Sequence, residues 1–140
     1  MMIHQIPKDE LSTLVRDWYY AASEGQMDQF LSFFAQDNNT VYFGTDPEEQ
    51  WYGYDQIRSF FEDLFRIYGK WTIMSKNLRI HQIEDVALFS DEVELSARYG
   101  ESSIAQDARM TGALTRQDGK WRIIQVHFSF GVPNSELLPG

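Results

Sequence analysis

The stretch that decides the fold is Asp118-Gly119-Lys120-Trp121-Arg122-Ile123-Ile124-Gln125-Val126-His127-Phe128-Ser129-Phe130. Asp-Gly between two strand-forming runs is the strongest short hairpin signal, because both residues tolerate the positive φ of a two-residue turn. Asp107 to Gln117 therefore pairs with Lys120 to Phe130. With no bulge in the pair, Arg116 opposes Trp121 and Met110 opposes His127. One face then carries Met110, Gly112, Leu114, Trp121, Ile123, Gln125, His127 and Ser129. The other carries Arg109, Thr111, Ala113, Arg122, Ile124, Val126, Phe128 and Phe130. Both are apolar toward the carboxyl end, whereas an antiparallel sheet in a monomer normally leaves one face polar. The first face is expected to pack on helices. The second is expected to form a homodimer through Ile124, Val126, Phe128 and Phe130.

Working back from the hairpin, helical spacing governs the first half of the chain. Pro7 opens a helix carrying Leu11, Leu14, Val15, Trp18, Tyr19 and Ala22, and Gly25 ends it. Met27 to Phe34 forms a second, short helix, and Thr40 to Phe43 a short strand. After a polar loop from Gly44 to Glu49, Ile57, Phe60, Phe61, Leu64, Phe65 and Tyr68 make the cleanest amphipathic stripe. From Trp71 the period shifts toward two. Trp71 to Ile83 reads as one strand with a bulge, Val86 to Arg98 as the next, and Tyr99 to Gln106 as a polar loop. The fold class is α+β, with three helices on one face of a mainly antiparallel sheet.

Composition narrows the functions. The 140 residues fit one domain. With 12 Lys and Arg against 21 Asp and Glu, the chain lacks the basic stripe that nucleic-acid binding needs. It has no cysteine, hence no disulfide or thiolate chemistry. No apolar run approaches the roughly 18 residues of a membrane span. Met1-Met2-Ile3-His4 lacks the features of a signal peptide, so a cytoplasmic protein is expected. Aromatic content is high at 15%, which points to a large core, a ring-lined cavity or an interface.

Several of these residues resemble the SnoaL-like domains of the nuclear transport factor 2-like and ketosteroid-isomerase-like superfamily. Asp118 to Ile124, running into His127-Phe128-Ser129 and Val132-Pro133, resembles their closing strands. Arg109-Met110-Thr111-Gly112 is similar to the strand before. Trp51-Tyr52-Gly53-Tyr54-Asp55-Gln56-Ile57 resembles their W-x-G-x-x-x-I lead into the third helix, and Val86 to Asp91 their V-A-x-F-S-D strand. The resemblance implies a curved sheet wrapped around helices as a cone, a pocket at the open end and a homodimer packed sheet to sheet. A more local similarity, in Gly119-Lys120-Trp121, Val126 to Ser129 and Pro133, is to the association (hub) domain of calcium/calmodulin-dependent protein kinase II.

The superfamily hosts many functions, so function is argued from the site. Where the ketosteroid isomerases place their carboxylate base after a T-V-E-D strand, this chain has Phe43. Where they place the helix-one tyrosine, it has Trp18. An indole N–H donates a hydrogen bond but relays no proton near neutral pH. Steroid-type isomerisation is therefore not expected. His127 is the remaining acid/base candidate, because its ordinary pKa is near neutral. The alternative is a buried histidine satisfied by the backbone or Ser129. The expected ligand-binding set is Trp18, Phe43, Trp51, Met110, Trp121, Gln125, His127 and Ser129. Arg109 is expected on the outer face, although one bulge would turn it inward to meet an anionic ligand. Glu92 and Glu94 are expected on a solvated face, the alternative being a carboxylate at the mouth of the cone. Asp46, Glu48 and Glu49 are expected to rim the mouth of the cone, and they lack the spacing of a calcium loop. Neither metal nor cofactor is expected. Three functions follow: a pocket protein for an apolar or aromatic metabolite, an isomerase-, cyclase- or dehydratase-type enzyme using His127, and an oligomeric assembly module.

Overall fold

The computed structural model describes residues 8–138, so Pro7 and His4 lie outside the described residues. Helix α1 (Lys8–Ser23) buries Leu11, Val15, Trp18 and Ala22 along one face. Gly25, at φ 68°, turns the chain into α2 (Met27–Ser32), which buries Phe30 and Leu31. Strands β1 (Val41–Phe43) and β2 (Gln50–Tyr52) lead to α3 (Tyr54–Tyr68), whose Ile57, Phe61 and Phe65 are buried. The sheet continues with β3 (Trp71–Ser75), β4 (Arg79–Ile83), β5 (Val86–Tyr99), β6 (Ser102–Gln117) and β7 (Lys120–Ser129), and a short α4 (Asn134–Leu137) follows. The seven strands run β2-β1-β7-β6-β5-β3, with β4 also on β5. Pairing is antiparallel except β1 with β7, which is parallel. The helices pack on one face of this curved sheet, as the α+β reading expected. Phe30 is the hub of the ring cluster, 5.2 Å from Trp18, 4.8 Å from Phe61 and 5.3 Å from Trp71 between centroids.

The turn is as expected: Asp118 and Gly119 both have positive φ, and Arg116 pairs with Trp121. The strand beyond it is not. Leu114 pairs with Ile123 but Ala113 pairs with Gln125, so Ile124 is an extra residue that nothing opposes. This bulge inverts every side chain after it, because strand parity has a period of two. Met110 now faces Phe128 instead of His127, and Thr111 faces His127. Val126 and Phe128, expected on the outer face, are buried in the core. Gln125 and His127, expected inside, are exposed on the outer face, with Ser129 half-buried on the same side. The helix side anchors the bulge. The Ala35 N–H donates to the Ile123 carbonyl at 2.8 Å, and the Ile123 N–H donates to the Phe33 carbonyl at 2.8 Å.

Trp71 to Ile83 is two strands. Ser75 pairs with Val93 and Arg79 with Ser90, so the three residues between face only two on β5. The parity change between Ile73 and Leu78 lies in this extra residue. Asp91 fills the break. It is 4% exposed and accepts hydrogen bonds from the Tyr19 hydroxyl at 2.9 Å and the Asn77 N–H at 2.9 Å. The expected loop from Tyr99 to Gln106 is instead a ribbon, since β5 and β6 stay paired out to Tyr99 and Ser102. Residues 101–107 are exposed, so no apolar alternation marks them as strand.

Gly112 gives this sheet its closest approach. Phe89 faces it across the β5–β6 pair, and a Cβ at Gly112 would collide with Phe89 Cζ and sit 2.7 Å from the Gln125 carbonyl oxygen. Phe89 is 3% exposed and cannot swing away without leaving the core. Gly112→Ala is expected to cost about 1–3 kcal/mol, the usual range for overpacking, measured by urea denaturation.

Candidate functional site

The amphipathic stripe of α3 splits into two rows. Ile57, Phe61 and Phe65 point into the core, while Phe60, Leu64 and Tyr68 lie one row over and remain half-buried. The second row walls a cavity of about 230 Å³. Tyr42 closes it from β1, Trp71 from β3, Phe128 from β7 and Phe130 from just beyond the end of β7. Leu95, Ala97 and Ile104 supply aliphatic surface from the β5–β6 ribbon. Tyr42 lies 5.7 Å from Phe60 and 6.1 Å from Phe128 between ring centroids, a tilted arrangement that rings favour. The volume falls below the ~300–1,000 Å³ of pockets for drug-sized ligands, which suits one or two rings.

Polar groups are few. Tyr42 is 6% exposed, and what remains exposed includes its hydroxyl, on the cavity side. Burial, reinforced by the Glu49 charge, pushes its pKa far above the ordinary tyrosine value. Glu49, from the loop between β1 and β2, accepts a hydrogen bond from the Asp46 N–H at 3.1 Å. Its carboxyl is pushed up from the usual range, chiefly by burial. Thr45, Ser96 and Gln106 complete the polar lining. The indole N–H of Trp71 is buried without a partner, so the ring meets the cavity through its carbon surface.

A profile of the SnoaL-like domain family matches residues 11–133. The chain belongs to the SnoaL-like family. Solved structures agree on the fold of this SnoaL-like domain. A nuclear transport factor 2-like superfamily protein from Salmonella enterica is similar with a TM-score of 0.80 at 17% identity, over 90% of this chain and 92% of that one. A nuclear transport factor 2-like protein of unknown function from Pseudomonas putida gives 0.77 at 19%, over 95% and 92%. A protein assigned as a calcium/calmodulin-dependent protein kinase II association domain, from Xanthomonas campestris, gives 0.77 at 20%, over 94% and 92%. No curated protein matches closely enough to count as a relative.

The residues expected to line the pocket of this SnoaL-like domain do not meet in one place. Trp18 is fully buried against Phe30 and Phe34, and Met110 is buried beside Tyr19. Trp121 is buried near the turn, with the Arg116 guanidinium 5.5 Å from its ring centroid. Trp51 packs behind Phe60 at 5.4 Å and does not itself line the cavity. Phe43, His127 and Ser129 line an adjoining groove that shares Thr45, Glu49, Phe128 and Phe130 with the cavity. Phe43 stands edge-on to His127 at 5.4 Å, and Gln125 shares their outer face. Two residues assigned to the dimer face, Phe128 and Phe130, line the cavity instead. Arg109 is exposed and pairs with Glu92 and Ser129, on the outer side as expected. Glu92 is exposed and Glu94 half-buried on that side. Tyr42, Glu49 and Trp71 went unnamed as ligand contacts. The available signal was that Tyr42 alternates with Val41 and Phe43, so it must face opposite to them. No helix among the described residues is long and apolar enough to cross a membrane.

Proposed function

We propose that this SnoaL-like domain binds a small, largely apolar molecule of one or two rings in the cavity between α3 and the sheet. The observation that carries this reading is the ring-walled cavity of about 230 Å³, onto which the Tyr42 hydroxyl opens. Pockets of this kind combine apolar walls with a few polar groups that fix orientation, and the hydroxyl is such a group for a ligand oxygen or nitrogen. Titrating benzyl alcohol into the labelled protein should move the amide resonances of Leu95, Ala97 and Ile104 to saturation. Leu64→Trp, which fills the cavity, should abolish the effect. Shifts confined to the groove of Phe43 and His127 would overturn this reading and favour the outer site. His127 is exposed and lines the adjoining groove, not the cavity itself, so this reading gives it no role.

The second part of the proposal is a homodimer through the outer sheet face. Its apolar content is Val41, Phe43, Tyr52, Leu88 and Ile124, and Val126 and Phe128 are excluded by their burial. Tyr52 and Leu88 are 54% and 49% exposed in the single chain, the kind of surface that a partner copy covers. Leu88→Glu should lower the sedimentation coefficient to that of a monomer. A monomeric wild type at micromolar concentration would overturn the dimer.

A further inference from the structure

The cavity's walls and its charge, taken together, select a ligand class. Six of its lining side chains are aromatic: Tyr42, Phe60, Tyr68, Trp71, Phe128 and Phe130. One lining group, Glu49, carries charge near neutral pH, and no Lys, Arg or His lines the cavity. Among the described residues no basic side chain pairs with Glu49, since the ion pairs present are Arg58–Glu62, Arg66–Asp63, Lys76–Asp107 and Arg116–Asp85. The Asp46 charge repels it. Lys70 and Arg98 line a neighbouring groove that shares Tyr68, Trp71 and Ile104 with the cavity. His127 lines another that shares Glu49 with it but makes no ion pair with Glu49. A half-buried carboxylate without a countercharge is unfavourable, and it becomes favourable when a ligand brings the opposite charge. Ring faces attract a desolvated cation through their quadrupoles. The chain's net charge of −9 also draws cations and repels anions at long range.

We infer that the cavity takes an organic cation, an alkyl- or arylammonium seated among these rings with its charge toward Glu49. This rests on the cavity being a ligand site and adds the charge of the ligand. The Tyr42 hydroxyl adds an oxygen acceptor for an ammonium N–H. Shape alone would accept a neutral alcohol of the same size, so the ammonium is distinguished by charge.

The test compares three probes of one size: benzylammonium, benzyl alcohol and phenylacetate, each titrated into the wild-type protein and Glu49→Gln at neutral pH and low salt. Calorimetry and the same amide resonances serve as readouts. The expected order is benzylammonium about tenfold tighter than benzyl alcohol, with phenylacetate weakest. In Glu49→Gln the gap between ammonium and alcohol should shrink to about threefold or less. Benzyl alcohol binding as tightly as benzylammonium, or phenylacetate binding best, would overturn the inference while leaving the cavity a ligand site. Binding of none of the three would overturn both. An unchanged ammonium preference in Glu49→Gln would also overturn it, because the selecting charge would lie elsewhere. Should Glu49→Gln fail to fold, the wild-type order of the three probes still decides.

Discussion

Phe128→Glu is expected to leave this chain unfolded, while His127→Glu, one residue away, is expected to leave it folded. Phe128 is 2% exposed, packed 6.1 Å from Tyr42 between ring centroids. Removing such a ring costs about 3–5 kcal/mol before the carboxylate is counted. Burying that carboxylate adds several more, against a total stability of about 5–15 kcal/mol. His127 is exposed, where substitutions usually stay within about 0.5 kcal/mol. Without the bulge at Ile124 the outcome would be reversed, with the charge tolerated at 128 and disruptive at 127. Circular dichroism with urea denaturation of both variants distinguishes the two arrangements. A folded Phe128→Glu beside an unfolded His127→Glu would refute the register described here.

The second large effect is at alkaline pH. Tyr19 is held against Asp91, and its pKa is pushed far above the ordinary value by burial first and by the Asp91 charge second. Burial does the same to Tyr42. The unfolded chain releases these protons near pH 10, the ordinary tyrosine value, while the folded chain keeps them. Stability from these groups is therefore full below about pH 10 and falls as pH rises beyond it. Each contributes a slope of about 1.4 kcal/mol per pH unit, so the pair gives about 2.8. Tyr19→Phe should halve that slope. At neutral pH the same variant should cost about 1–3 kcal/mol, because one oxygen of the buried Asp91 carboxylate loses its donor. Urea midpoints measured from pH 7 to 11.5 read both effects. An alkaline slope that Tyr19→Phe does not change would show that Tyr19 ionises freely in the folded state.

Much of the fold was legible because its signals are local. Asp118-Gly119 marks a turn by its backbone demands, and the periodic apolar residues of α1 and α3 mark helices by their spacing. The bulge has no such signature. Ile123 and Ile124 are identical side chains, so nothing in their chemistry says which of them stands outside the ladder. The deciding contacts are the hydrogen bonds from the segment after α2 to Ile123, a long-range feature. One undetected residue sent the polar trio Gln125, His127 and Ser129 to the wrong face and Phe128 with them. The cavity was hidden for a related reason. Phe60, Leu64 and Tyr68 were visible as part of a stripe, but spacing does not separate a row that meets other side chains from a row that meets space. Asp91 was legible as a motif letter only. Its role follows from the break between β3 and β4, which opens toward α1 and brings Tyr19 within reach.

The unpaired Ile124 also limits how residue roles travel between proteins. Two chains that share the Asp-Gly-Lys-Trp turn count in step from that turn only as far as Ile123. Past it, a homologue lacking the extra residue would present its histidine inward and its phenylalanine to the medium under an almost gapless alignment. Point substitutions cannot move a chain gradually between those two states, since every side chain from 125 onward changes sides at once. Only an insertion or deletion makes the exchange, and it must be matched by a rebuilt core. Comparisons of pocket composition across this family should therefore be anchored twice, once at the turn and once beyond the kink, with the two halves of the strand treated as separate words.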